Sequence, residues 1–372
     1  MHDRHAEPHR IAVASLGLAL APYSMISSNP PATASRPQLG FLGVGVIGQR
    51  RMQAIVEADL ADVVAMADPS PDLLKEATKL APGAACFSTL DALLKNGCDA
   101  VVIATPSALH AEQTIACLSR GLPVFCQKPL GRDAEEVRTI IDAARQADRL
   151  LGVDLSYRFV GGMPQMRELI QTGALGDIFG VDLVFHNAFG PQKPWFYDPK
   201  LSGGGCVVDL GIHLVDAALW MLETKVIGVS SRVFAQGKPL GIRTDAVEDF
   251  ATARLDLANG ATAQLACSWR LHAGRQAVIE AVFYGTKGGA ALRNVGGSFH
   301  DFVAERFTGT STERLAEPPD VWGGRAAVDW TRHLIADRAF DPEVERQIDV
   351  AVALDAIYGR ESARSLIDAG SG

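Results

Sequence analysis

The chain lacks an excess of positive charge, any close pairing of cysteines and any internal repeat, and each absence removes a class of function. Its 372 residues carry a formal net charge of −8, so neither nucleic acid nor an anionic membrane surface is attracted at long range. Any anion must therefore be captured by a local site. The six cysteines, Cys86, Cys98, Cys117, Cys126, Cys206 and Cys267, are scattered without metal-ligand spacing and read as buried small hydrophobes. No structural metal and no disulfide framework is expected. No apolar run reaches membrane-spanning length, so no membrane partner is expected either. What the chain does have is apolar content, 48%, which at this length supports two domains with a sizeable core.

Residues 1–37 read as a disordered leader. Ile11 to Ala21 is an apolar run of signal-peptide length, and Ala32-Thr33-Ala34 resembles a cleavage site. The flanks argue otherwise, because Arg4 and Arg10 are balanced by Asp3 and Glu7, Pro30, Pro31 and Pro37 follow, and Met25 is an alternative start. The reading is a cytoplasmic protein, with export through an N-terminal signal segment as the alternative.

From residue 38 the pattern becomes informative. Gly43-Val44-Gly45-Val46-Ile47-Gly48 follows a short apolar strand, Gln38 to Val44, and opens a helix, Gln49 to Asp59. In that context the glycines have separate duties: Gly43 permits the tight turn, Gly45 removes the Cβ that would keep a pyrophosphate away, and Gly48 lets helix and strand pack closely. The helix N-terminus then points free N–H groups at the anion. A second buried strand, Val63 to Ala67, ends at Asp68, whose carboxylate suits the ribose hydroxyls of NAD and repels the extra phosphate of NADP. Arg50 and Arg51 read as solvated residues of the first helical turn, although an arginine here is also able to accept the NADP phosphate. The cofactor expected is NAD, with NADP possible.

Strands and helices alternate up to about residue 156, which implies a parallel, doubly wound α/β sheet over residues 38–156. Ala100 to Ala104 is a buried strand broken by Thr105-Pro106 at the sheet's carboxyl edge, where ligands bind in such folds. Pro123 to Cys126 delivers Gln127-Lys128-Pro129 to that same edge. Beyond Tyr157-Arg158-Phe159, over residues 157–372, long alternating runs (Val226 to Ala235, Val247 to Leu257, Ala261 to Trp269, Ala277 to Tyr284) suggest a large, mostly antiparallel open sheet. Helices are expected at Ile212 to Leu222, Ala326 to Ala336 and Pro342 to Tyr358.

Four motifs in this order resemble the Gfo/Idh/MocA oxidoreductases: Gly43 to Gly48, Ala104 to His110, Lys128-Pro129, and Trp195 to Asp216 with Gly203-Gly204-Gly205, Asp209, Gly211 and His213. The resemblance runs from about Gln38 to about Leu366. It implies a Rossmann domain joined to an α/β domain that commonly mediates oligomers, hence a homo-oligomer, dimer or tetramer. It also implies hydride exchange between a nicotinamide and a secondary alcohol of a sugar, cyclitol or derivative. Two alternatives stay open: a redox glycosidase working on bound NAD, and a non-catalytic NAD- and sugar-binding sensor.

The chemistry asks for a base for the hydroxyl and for charge that stabilises the developing alkoxide. His213 is assigned as general base, with Asp209 four residues earlier able to orient its imidazole. Lys128 is assigned to the substrate oxygen, again with Asp209 as orienting partner. One departure matters: the family usually has Glu where this chain has Gln127, and loss of that charge makes Lys128 a readier proton acceptor. His110 is expected close to the cofactor, Tyr157 and Arg158 at substrate hydroxyls, and Trp195 as an apolar wall for a sugar ring.

Overall fold

In the computed structural model, residues 36–241 and 245–360 are described, so residues 1–35 of the leader, with its candidate signal segment, lie outside the described residues. From Arg36 onward the described residues form one compact unit holding two sheets. The first has six parallel strands, β1 (Gln38–Leu42), β2 (Asp62–Ala67), β3 (Ala85–Phe87), β4 (Ala100–Ile103), β5 (Val124–Cys126) and β6 (Leu151–Val153), in the order β3-β2-β1-β4-β5-β6. Strand order reverses between β1 and β4, which opens a crevice at their carboxyl ends. The strands are short and almost wholly apolar because helices cover both faces, and β4 (Ala-Val-Val-Ile) is buried throughout.

The second sheet has nine strands: β7 (Ile178–Asn187), β8 (Val226–Ala235), β9 (Lys238–Pro239), β10 (Phe250–Leu257), β11 (Thr262–Ser268), β12 (Ala277–Gly285), β13 (Gly289–Asn294), β14 (Phe302–Thr308) and β15 (Ser311–Ala316). Their order is β15-β14-β13-β12-β7-β11-β10-β8-β9, antiparallel except where β11 pairs with β7. The alternation in β10 and β11 comes out as expected, with Ala251, Ala253 and Leu255 buried and the intervening residues outside. Strands β13 to β15 were not foreseen. Gly288, Gly289, Gly296 and Gly297 break up the apolar pattern there.

One face of this sheet is covered by the helices Met163–Gln171 and Ile212–Leu222, and Met166, Val215 and Met221 share a core with Leu183, Ala263 and Phe283. The helical segment Pro199–Leu222 is, by length and composition, apolar enough to cross a membrane, contrary to the expectation that no stretch is. Its apolar window is 83% buried inside the fold, so it is a core helix. The closing helices, expected with the second domain, divide their contacts. Arg325–Ala336 returns to the first sheet, where Ala327 and Trp330 pack with Phe41, Met52 and Phe125. Gly152 makes room for it, since a Cβ there would sit 2.4 Å from Trp330 Cδ1. The cysteines are not uniformly buried as expected: Cys117, Cys126, Cys206 and Cys267 are buried, but Cys86 is exposed and Cys98 intermediate, and all six are free.

Candidate active site

The carboxyl ends of β1, β2, β4, β5 and β6 bring Gly43, Asp68, Thr105, Gln127-Lys128 and Asp154 to a single edge. Gly43 has φ +83°, and a Cβ on it would lie 2.7 Å from the Ala104 backbone, so the crevice wall excludes any larger residue. A Cβ on Gly48 would lie 2.1 Å from Gly43 O. Gly45 differs, because its missing Cβ faces open space. The Val46–Glu57 helix begins there with no side-chain cap and no acid in its first turn, leaving its N–H groups and positive dipole end for an anion. Val46 and Ile47 are 66% and 39% exposed beside it, apolar surface that a bound nucleotide would cover. These features suit a dinucleotide.

Asp68 holds the loop from below: Oδ2 accepts from Val44 N–H at 3.0 Å and Oδ1 from Ser70 N–H at 2.9 Å. Thr105 lends its carbonyl to His110 Nε2 at 2.8 Å, and His110 Nδ1 lies 2.7 Å from the Pro129 carbonyl. The ring is 1% exposed, so it ties the Thr105-Pro106 turn to the Lys128-Pro129 segment from behind. Its own reach toward a cofactor is used up by those two carbonyls.

Across the crevice, the glycine triplet leads into a π-helical turn, Val207–Gly211, that continues as the Ile212–Leu222 helix. Such turns recur at functional sites. Glu248, which the sequence reading missed, builds the entry: buried to 2% exposure, it accepts from Gly205 N–H at 2.9 Å, Val207 N–H at 2.9 Å and Tyr358 O–H at 2.8 Å. Burial pushes its carboxyl above the usual range, and the donated hydrogen bonds oppose that. Gly205 is there because a Cβ would fall 1.9 Å from Glu248 O.

The turn presents Asp209 to Lys128. Lys128 Nζ donates to Asp209 Oδ1 at 2.8 Å and to the Asp209 carbonyl at 2.6 Å, with the two side chains 16% and 20% exposed. Trp269, also missed, donates its indole N–H to Asp209 Oδ2 at 3.1 Å. The expected bond from Asp209 to His213 is therefore not made. An ammonium and an indole N–H take the carboxylate ahead of a neutral imidazole, and His213 Nδ1 is buried without a hydrogen-bond partner among the described residues. The imidazole packs instead against the Tyr157 ring, tilted to it, with centroids 4.7 Å apart. Burial, then the charges of Lys128 and Arg51, hold its pKa well below the ordinary histidine value.

Tyr157, expected at substrate hydroxyls, lies buried beside His213 and is packed also against Phe185, Phe302 and Trp322. Arg158 does not serve as expected. Its guanidinium pairs with Asp216 at 2.8 and 2.5 Å and lies 5.5 Å from the Trp220 ring, because a carboxylate buried to 2% exposure in the core helix needs a counter-charge. Trp195 stacks on Phe196 at 3.8 Å, and Phe196 meets Trp269 edge-on, so the expected aromatic wall is a cluster. Arg51, expected in solvent, is 7% exposed and donates to Asp154. Two adjacent arginines carry no mark in the sequence of which one points inward.

Residues 38–155 match the model of the oxidoreductase family with an NAD-binding Rossmann fold, and residues 163–291 match the GFO/IDH/MocA C-terminal domain. The chain is 30% identical over 288 residues to a putative UDP-kanosamine synthase oxidoreductase subunit of Amycolatopsis mediterranei, covering 73% of this chain and 79% of that protein. It is 32% identical over 195 residues to inositol 2-dehydrogenase of Rhodococcus erythropolis, covering 52% and 54%. The chain spans little more than half the length of several such relatives, 57% and 54% in two cases. The fold is that of levoglucosan dehydrogenase, solved with NADH and L-sorbose, at TM-score 0.75 and 21% identity over 89% of this chain and 98% of that one. The glycine crevice, the lysine at its edge and both domain matches show that the chain belongs to the GFO/IDH/MocA family of NAD-binding oxidoreductases.

Proposed function

We propose that this protein is an NAD-dependent dehydrogenase that acts on a secondary alcohol of a sugar, a cyclitol or a derivative, with Lys128, Asp209 and His213 as its catalytic residues. The observation that carries the reading is the 2.8 Å contact between Lys128, delivered by β5 at the nucleotide edge, and Asp209, delivered by the π-turn of the other half. Bound nicotinamide supplies the two-electron chemistry. The protein's groups handle the proton and the charge. Lys128 opposes the negative charge that develops on the substrate oxygen, Asp209 aims the ammonium, and Trp269 fixes the second carboxylate oxygen. His213, kept neutral by its burial and by neighbouring positive charge, accepts the hydroxyl proton. Tyr157 lies against His213 at the substrate side, and the Trp195–Phe196 pair supplies an apolar face on which a sugar ring stacks.

The Asp68 carboxylate at the end of β2 supports NAD over NADP. The open face of the nine-stranded sheet sets Val184 beside Ala266 and Glu280, with Asp182 beside Gln264, a mixed surface suited to a second copy of the chain. Light scattering tests that, and a monomer at micromolar concentration contradicts it. A cytoplasmic location is part of the same reading, and mass spectrometry of the N-terminus from the native host tests it. The deciding assay is reduced-nicotinamide absorbance with NAD or NADP and a panel of inositols, aldoses, uronates and nucleotide sugars. Steady NAD reduction with one class establishes the activity, and no signal with any overturns it in favour of a closed redox cycle or a sensor.

A further inference from the structure

The amide of Gln127, beside the lysine, faces a buried acid at the end of the adjacent strand. Gln127 Nε2 donates to Asp154 Oδ2 at 2.7 Å, and Gln127 Oε1 accepts from the Lys128 backbone N–H at 3.2 Å. Asp154 is fully buried. The same Oδ2 accepts from Arg51 Nε at 2.5 Å, and Oδ1 accepts from Ser156 O–H at 2.5 Å. Arg51 completes the cluster by donating to Ser156 Oγ at 2.9 Å and to the Gly323 carbonyl. A chain of contacts thus runs from the helix that opens the nucleotide site, through Asp154, to the backbone of Lys128.

We infer that Gln127 and Asp154 are a matched pair, and that Arg51 and Asp154 are positioning residues that act on Lys128 through the Gln127 amide. This rests on the role proposed above for Lys128. An amide donates to a carboxylate at one end and accepts a backbone N–H at the other without having to take up a proton. A glutamate in the same place would set a second carboxylate oxygen against Asp154 Oδ2, with Arg51 as the shared cation. One acid would then have to take a proton, or the two would part and release Lys128 N–H. As it stands, Arg51 and Asp154 cancel and Gln127 adds no charge. The carboxylate that Lys128 bonds is Asp209, with His213 and Tyr157 beyond it.

The test is a double-mutant cycle on the full chain with Gln127→Glu, Asp154→Asn and the double variant, read by melting temperature, NADH binding by fluorescence, and kcat and KM. Gln127→Glu is expected to melt below wild type at about pH 8, with the gap closing toward about pH 5 as one carboxyl takes a proton. Its kcat is expected to fall roughly tenfold with KM nearly unchanged, because the lost interaction positions a group used in the transition state. Adding Asp154→Asn is expected to recover part of both losses. Should Asp154→Asn alone not fold, the pH-dependent gap of Gln127→Glu decides. A Gln127→Glu protein that matches wild type at both pH values, or single losses that simply add in the double variant, overturns the pairing. Melting and NADH binding require no turnover. If no sugar is oxidised yet the cycle couples, the dehydrogenase reading falls and the pair stands. If sugars are oxidised and the cycle is additive, the pair alone falls.

Discussion

Lys128 reaches across from β5 to Asp209 and bonds it twice, through Oδ1 at 2.8 Å and through the backbone carbonyl at 2.6 Å. The second contact matters because a carbonyl cannot be lost by rotating a side chain. Removing the carboxylate should thus leave Lys128 partly held, whereas removing the lysine leaves nothing to stabilise charge on the substrate oxygen. Lys128→Ala is expected to lower kcat by roughly a hundredfold or more, and Asp209→Asn by less. Near wild-type turnover of Lys128→Ala with the substrate found in the panel assay removes the lysine from the mechanism.

Gly45→Ala separates binding from folding. A Cβ at Gly45 meets no atom within 4 Å, so the variant should melt with wild type. The same methyl stands where a pyrophosphate approaches the helix N-terminus, so NADH affinity should fall by about tenfold or more. Calorimetric titration with NADH reads this directly, and unchanged affinity places the nucleotide elsewhere.

Gly205→Ala should do the opposite. Its methyl would fall 1.9 Å from Glu248 O, where backbone has to move and the cap on the helix carrying Asp209 and His213 is disrupted. A loss of about 2 to 4 kcal/mol is expected, within the range for overpacking combined with a broken buried hydrogen bond. Denaturant titration checks it, and a loss under about 1 kcal/mol argues that the triplet is loosely built.

His213 sets a pH dependence of stability with a definite sign. Its folded pKa lies well below the ordinary value of 6.5, chiefly through burial, so the unfolded chain takes up a proton first as pH falls. Its contribution to stability is present above about pH 6.5 and is lost as pH drops through that value toward the folded pKa. His213→Phe should flatten the melting-temperature profile between about pH 7 and pH 5 while lowering turnover. If the slope is the same in the variant, the imidazole is not held neutral by its surroundings.

Trp269→Phe keeps the aromatic packing and deletes the indole N–H that bonds Asp209 Oδ2. A loss of about 1 kcal/mol, or roughly fivefold in kcat/KM, is expected for one hydrogen bond to a carboxylate. Unchanged kinetics would show that Lys128 alone orients the acid.

What the sequence determined by itself was whatever depends on neighbours along the chain. A glycine needed for φ +83° at Gly43, an apolar run buried on both faces such as Ala100 to Ile103, and a β-strand alternation such as Phe250 to Leu257 are each written in consecutive residues, and so the doubly wound sheet and the glycine crevice were legible. The pairing of side chains over long separations was not. Lys128 and Asp209 are 81 residues apart and were matched through their motifs, but Asp209 also had Trp269 as a donor, and that choice displaced His213. Arg51 to Asp154, 103 residues apart, and Glu248 to Gly205, 43 apart, left no local mark. Buried polar groups take whichever partner the folded backbone brings within about 3 Å, and in water no stretch of chain reveals which one that will be. Tertiary structure therefore decided which polar groups meet: Arg158 with Asp216, and Gln127 with Asp154 behind the lysine.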